Sequence, residues 1–125
     1  LNSGSLAVQN TNATFSGNLS GAAALSFSGP NDFVVSGANN SSFSGTTTLT
    51  SGTLTVGVAT NGLGTGSLLL NGGTLKSSLS ATLGNAYTVG GTVNNFGSSD
   101  LTLSGAGNFS SGSFTIDSAN TTTLS

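Results

Sequence analysis

The sequence predicts an all-β chain wound from repeated coils, and three observations carry that expectation. Helix signals are almost absent, since Gly supplies 20 of the 125 residues, Thr is frequent and no apolar stripe of 3.6-residue period persists. Short runs alternate apolar and small polar residues, each bounded by Gly, Asn or Ser, the residues that supply turns. The runs also echo one another, as stacked coils do when each meets the same environment above and below.

The strands follow in order. Ser5-Leu6-Ala7-Val8, Leu25-Ser26-Phe27, Phe33-Val34-Val35 and Thr53-Leu54-Thr55-Val56 come first. Ser67-Leu68-Leu69-Leu70, Thr74-Leu75, Tyr87-Thr88-Val89, Leu101-Thr102-Leu103 and Phe114-Thr115-Ile116 complete the set. With Leu54 and Val56, or Leu101 and Leu103, facing inward, the Thr between them faces out.

Composition narrows function by exclusion. Gly, Ser, Thr and Asn fill 76 of the 125 positions, and charged residues are 3% where roughly 25% is usual. The four charges are Asp32, Lys76, Asp100 and Asp117, for a net charge of −2. Cys, His, Glu, Arg, Met and Trp are absent from the sequence. No Ser-His-Asp or Cys-His relay, zinc site or disulfide can be assembled, and a single cation is too little for a polyphosphate. Low net charge and 34% hydrophobic residues, placed in alternating runs, argue against disorder. The longest apolar stretches, residues 22–25 and 68–70, fall far short of the roughly 18 needed to span a membrane.

Repetition favours a solenoid over a sandwich. Residues 1–8 (LNSGSLAV) align with residues 49–56 (LTSGTLTV), and Ser111-Gly112-Ser113-Phe114-Thr115-Ile116 returns the pattern. Phe-Ser-Gly recurs at residues 15–17, 27–29 and 43–45, and Ser-Gly-Ala at residues 36–38 and 104–106. The C-terminal segment reads as a restart of the N-terminal one. Residues 1–125 are therefore expected to be one solenoid segment, part of a longer repetitive chain or stacked end to end on copies of itself. Neither end carries a charged or amphipathic cap. The alternative fold is a β-sandwich filament subunit with strand exchange.

Residues 34–77 read VVSGANNSSFSGTTTLTSGTLTVGVATNGLGTGSLLLNGGTLKS and resemble the autotransporter passenger-associated strand repeat. The likeness lies in a strand, Ser-Gly-Ala-Asn, an aromatic, Gly-Thr-Thr, Ser-Gly-Thr-Leu-Thr-Val-Gly, Leu-Gly-Thr-Gly and Leu-Asn-Gly-Gly-Thr-Leu, in that order. A degenerate copy covers residues 101–116. The resemblance implies a right-handed parallel β-helix, and at the ~20–25 residues per coil common in solenoid repeats the chain makes about five or six coils. It places Leu54, Val56, Leu68, Leu70 and Leu75 inside, and Gly52, Gly57, Gly66, Gly72 and Gly73 at corners. It transfers no catalytic, cofactor or metal residue.

Each candidate site has a structural reading that outweighs a functional one. Phe15, Phe27, Phe33, Phe43, Phe96, Phe109 and Phe114 could form a sugar-stacking face, but aromatics are expected in the core or at corners. Asp32, Asp100 and Asp117 could supply carboxylates for glycosidic cleavage, yet each sits at a strand edge without a supporting motif. Lys76, followed by Ser77-Ser78, reads as part of a solvated loop rather than an isopeptide crosslink. The Thr tracts at residues 46–48, 53–55 and 121–123 suggest ice binding, but Thr-x-Thr does not recur once per coil. Sequons at Asn12, Asn18, Asn39, Asn40, Asn108 and Asn120 would be exposed candidates if the source glycosylates its surface proteins, and carry no meaning in most bacteria.

The resemblance implies an exported bacterial cell-surface element, and the architecture adds the expectation of a structural or adhesive stalk or fibre without catalysis or cofactor. Its partners would be neighbouring repeats, identical subunits or surface glycans, with no nucleic acid and no membrane insertion by this segment. A self-polymerising extracellular filament subunit, assembled by strand addition, is the second expectation. A glycan-binding β-helix is the third, and it needs Asp32, Asp100 and Asp117 clustered with aromatics on one face.

Overall fold

A computed structural model describes residues 4–97, 99–116 and 121–125. Among them the chain winds as a β-solenoid of about five turns, with no helix. The first coil carries β1 (Ser5–Gln9) and β2 (Ala13–Phe15), the second β3 (Ala24–Ser28) and β4 (Asp32–Val35), and the third β5 (Thr47–Leu49) and β6 (Thr53–Val56). The fourth carries β7 (Leu68–Leu70), β8 (Gly73–Ser77) and β9 (Ala81–Leu83). The fifth carries β10 (Tyr87–Val89), β11 (Thr92–Asn95) and β12 (Leu101–Leu103), and the last β13 (Gly107–Phe109), β14 (Ser113–Ile116) and β15 (Thr122–Leu124).

Three parallel sheets form the sides. The first runs β1-β3-β5-β7-β10-β13, the second β14-β11-β8-β6-β4-β2, and the third β15-β12-β9. Ser5 pairs with Ala24 and Leu25 with Thr47, so a turn takes 19 to 22 residues. This excludes the β-sandwich alternative. A sandwich is built from antiparallel pairs in two facing sheets, whereas each strand here pairs in parallel with strands a full turn away. On the third side, the early coils are irregular. Residues 36–45 are rich in Ser, Asn and Gly and residues 57–66 in Gly, and Phe43 and Leu63 plug the interior there.

Register converts period-2 alternation into continuous apolar columns. Phe27, Leu49, Leu70 and Val89 stack in the first sheet, and Phe33, Leu54 and Leu75 in the second. All seven are fully buried, and each such side chain contributes about 1.5–3 kcal/mol by leaving water. The five residues expected inside, Leu54, Val56, Leu68, Leu70 and Leu75, are all in this core. Gly52 and Gly73 turn the corner between the first and second sheets with φ of 81° and 82°, a conformation L side chains resist. Inward residues of the outer coils have a neighbour on one side only, and Phe109 and Ile116 are nearly half exposed.

Not every Thr, Ser or Asn in a strand faces out. Thr47, Ser77 and Asn95 occupy interior positions. Two are satisfied there: Ser77 Oγ donates to the Asp100 carbonyl at 3.2 Å, and Asn95 Nδ2 donates to Thr122 Oγ1 at 2.8 Å. Thr47 Oγ1 has no hydrogen-bond partner among the described residues, between Leu25 and Leu68 in its column. Thr47→Val keeps the shape and removes the stranded hydroxyl. It is expected to stabilise the protein by about 1 kcal/mol, read as a higher midpoint in thermal or urea unfolding. An unchanged or lower midpoint would show that the hydroxyl is satisfied in solution.

Candidate functional site

The outer face of the second sheet carries a groove of about 420 Å³. Strand register builds it. Thr14, Val34, Thr55 and Lys76 form one outward row across four successive turns. A second row runs Asp32, Thr53, Thr74, Asn94 and Thr115. Asp32, Val34, Thr55, Lys76, Ser78 and Phe96 all line the groove. Thr55 points outward yet is only 9% exposed, flanked by Val34 on one side and the Lys76 stem on the other.

Lys76 departs from the sequence expectation. It lies within β8, between buried Leu75 and buried Ser77, not in a solvated loop. Ser77 looked like loop chemistry because it is polar, but its hydrogen bonds let it sit inside. The Lys76 ammonium and the Asp32 carboxylate make no hydrogen bond or ion pair among the described residues, although both line this groove.

The phenylalanines divide. Phe27, Phe33 and Phe43 are buried, Phe15 and Phe114 half-buried, and Phe96 and Phe109 exposed by 52% and 48%. Phe27 packs on Phe33 at 5.0 Å between ring centres, and on Phe15 edge-on at 6.1 Å. Phe96 thus stands at a corner, just past β11, but with its ring exposed rather than packed in the core. Asn95 and Gly97 on either side are buried, so alternation turns Phe96 outward into the groove. That in-out-in sequence of Asn95, Phe96 and Gly97 was the available signal, hidden because Asn does not read as an interior residue.

The three aspartates are not gathered into a described cluster. Asp32 is on β4 of the second sheet, whereas Asp100 precedes β12 of the third sheet, where its Oδ1 accepts the Thr121 N–H at 2.9 Å. Asp117 lies outside the described residues, as does the sequon residue Asn120. Among the described residues no group of three or more His, Cys, Asp or Glu is placed to hold a metal ion. Of the other sequons, Asn12, Asn18, Asn39 and Asn108 are exposed, but Asn40 is buried. Both ends of its amide are engaged: Oδ1 accepts the Leu19 N–H at 2.6 Å, and Nδ2 donates to the Gly62 carbonyl at 2.8 Å.

Threonines do align, and the row takes in one residue of the 121–123 tract. Thr60, Thr82, Thr102 and Thr123 form one outward row on the third side. It is a single row, and in the second sheet Thr-x-Thr occurs only in β6.

Fold and register define this chain as a β-helical repeat protein, a parallel β-solenoid. No protein-family model, curated protein or solved structure matches it.

Proposed function

We propose that this solenoid is a structural or adhesive element of an exported bacterial surface protein, a stalk or fibre that does no catalysis. The observation that carries the reading is a coincidence of motif and register. Residues 45–56 (GTTTLTSGTLTV) and 66–77 (GSLLLNGGTLKS) are the heart of the resemblance to the autotransporter passenger repeat, and Thr47, Leu54 and Val56 pair with Leu68, Leu75 and Ser77. The motif therefore marks successive turns of one coil. Support comes also from the mechanics. Backbone bonds such as Thr47 N–H to the Ser67 carbonyl (2.9 Å) and Asn71 N–H to the Leu49 carbonyl (2.8 Å) tie each turn to the next along the axis. A solenoid of about five turns extends about 24 Å, at about 4.8 Å per turn.

The test is microscopy on cells and on purified chain. Antibodies raised to this segment should decorate intact cells, and the full gene product should appear as rods of constant width projecting from the surface. Labelling only after lysis would overturn the surface reading. Fibres of indefinite length growing from the purified 125-residue chain would replace the stalk with the self-polymerising filament.

A further inference from the structure

We propose that the groove on the second sheet binds an acidic saccharide, a run of pyranose units carrying carboxylates. The first argument is the placing of charge. In a chain where charged residues are 3% of the sequence, two of the four line this one groove. Lys76, the only cation, is left there without an ion-pair partner among the described residues, which leaves its ammonium available to an anion. The second argument is Phe96, whose large apolar ring is more than half exposed one turn beyond Lys76.

The order along the solenoid axis specifies the ligand. Asp32 and Val34 belong to β4, Thr55 to β6, Lys76 to β8, and Phe96 follows β11. Successive turns are about 4.8 Å apart, so the cation stands about 5 Å along the axis from the aromatic and about 10 Å from the carboxylate. A ligand matching this row presents an anion beside an apolar face, with hydroxyl donors further along. A carboxylated pyranose has these features. Its C–H face packs on Phe96, its carboxylate meets the Lys76 ammonium, and hydroxyls of the next units donate to Asp32 and exchange hydrogen bonds with Thr55 and Ser78. The volume of about 420 Å³ lies within the range of small-ligand sites.

Other ligands fit worse. An extended peptide is held by pairing with a free sheet edge, and this groove lies on a sheet face whose backbone groups are engaged in the ladder. A nucleic acid needs several cations. A neutral glucan leaves Lys76 without a role.

The test is calorimetric titration of the 125-residue chain at low salt with trigalacturonate and with its methyl ester, which has the same rings without the charge. The acid is expected to bind about tenfold more tightly than the ester, and Lys76→Gln to abolish that difference. Phe96→Ala is expected to weaken both ligands alike. Both side chains face solvent, so circular dichroism and thermal midpoints of the variants should match the parent, and Asp32→Asn gives a third, independent surface variant. No binding of the acid at millimolar concentration, equal binding of acid and ester, or a preference that survives Lys76→Gln overturns the proposal. Self-association in sedimentation that Lys76→Gln abolishes also overturns it, in favour of a second copy of the chain as occupant. The stalk reading is separate, because rods seen by microscopy and affinity seen by titration fail independently.

Discussion

Replacing Gly66 with alanine is expected to cost about 3 to 5 kcal/mol, a large share of a domain's whole stability, or to prevent folding. Gly66 stands at the corner two residues before β7, and in the turn below Gly45 holds the same position before β5. A Cβ on Gly66 would strike the Gly45 carbonyl, with its carbon and the Ser44 oxygen both at 2.6 Å. These are backbone atoms, so no rotamer change relieves the overlap. The turns cannot separate locally either. Thr47 N–H to Ser67 O and Leu68 N–H to Ala86 O, both at 2.9 Å, clamp the chain on each side of the corner. The φ of Gly66 is ordinary, so the demand is for space alone. Gly17→Ala is the matched control, because a Cβ there meets nothing within 4 Å. It should change stability by no more than about 0.5 kcal/mol. Equal effects of the two substitutions in urea unfolding would refute the stacked-corner explanation.

The second large effect is expected at Asn40. Its amide joins three turns, taking the Leu19 N–H at one end and reaching the Gly62 carbonyl at the other. Asn40 itself is 1% exposed. Asn40→Ala strands a donor and an acceptor that water reaches poorly, at about 1–3 kcal/mol for each group, so a loss of about 2 to 6 kcal/mol is predicted. Asn40→Asp separates the parts of the argument. It keeps the acceptor for Leu19, removes the donor to Gly62, and sets a carboxylate against a carbonyl in a dry corner. It should destabilise at neutral pH at least as much as alanine does. If either variant unfolds like the parent, the amide bridge is not a structural pin.

These two positions also show how far local reading reaches. The stretch from Gly45 to Ser77 was legible because two consecutive turns share a pattern at one spacing, and Leu54 and Leu75, or Leu49 and Leu70, fall into register. Elsewhere the echoes mislead. Residues 5–8 and 53–56 match in sequence, yet β1 is in the first sheet and β6 in the second. Phe-Ser-Gly appears after β2, at the end of β3, and ahead of β5. The corners share a chemistry of small residues and tight turns, so similar words mark different places.

Strands such as Thr92–Asn95 and Gly107–Phe109, with their Asn and Gly, carry only a weak local signal. They are strands because the turns beside them offer a ladder to complete, which is tertiary context overriding propensity. The groove was obscured for the same reason. Nothing in Lys76-Ser77 or Asn95-Phe96 alone says that the serine and the asparagine are interior, and only their hydrogen bonds across turns make that tolerable.

The near-constant spacing of 19 to 22 residues between paired positions has a kinetic consequence. Each newly wound turn closes a loop of about the same length as the last, so each closure carries about the same entropic cost. Once one pair of turns exists, every later segment finds a ready template and adds at a similar rate. Such a chain should fold as a polymer grows, with a slow first step followed by steady advance from whichever end is free. A protein emerging gradually from a narrow pore could fold in this way, since no turn must wait for a distant part of the sequence.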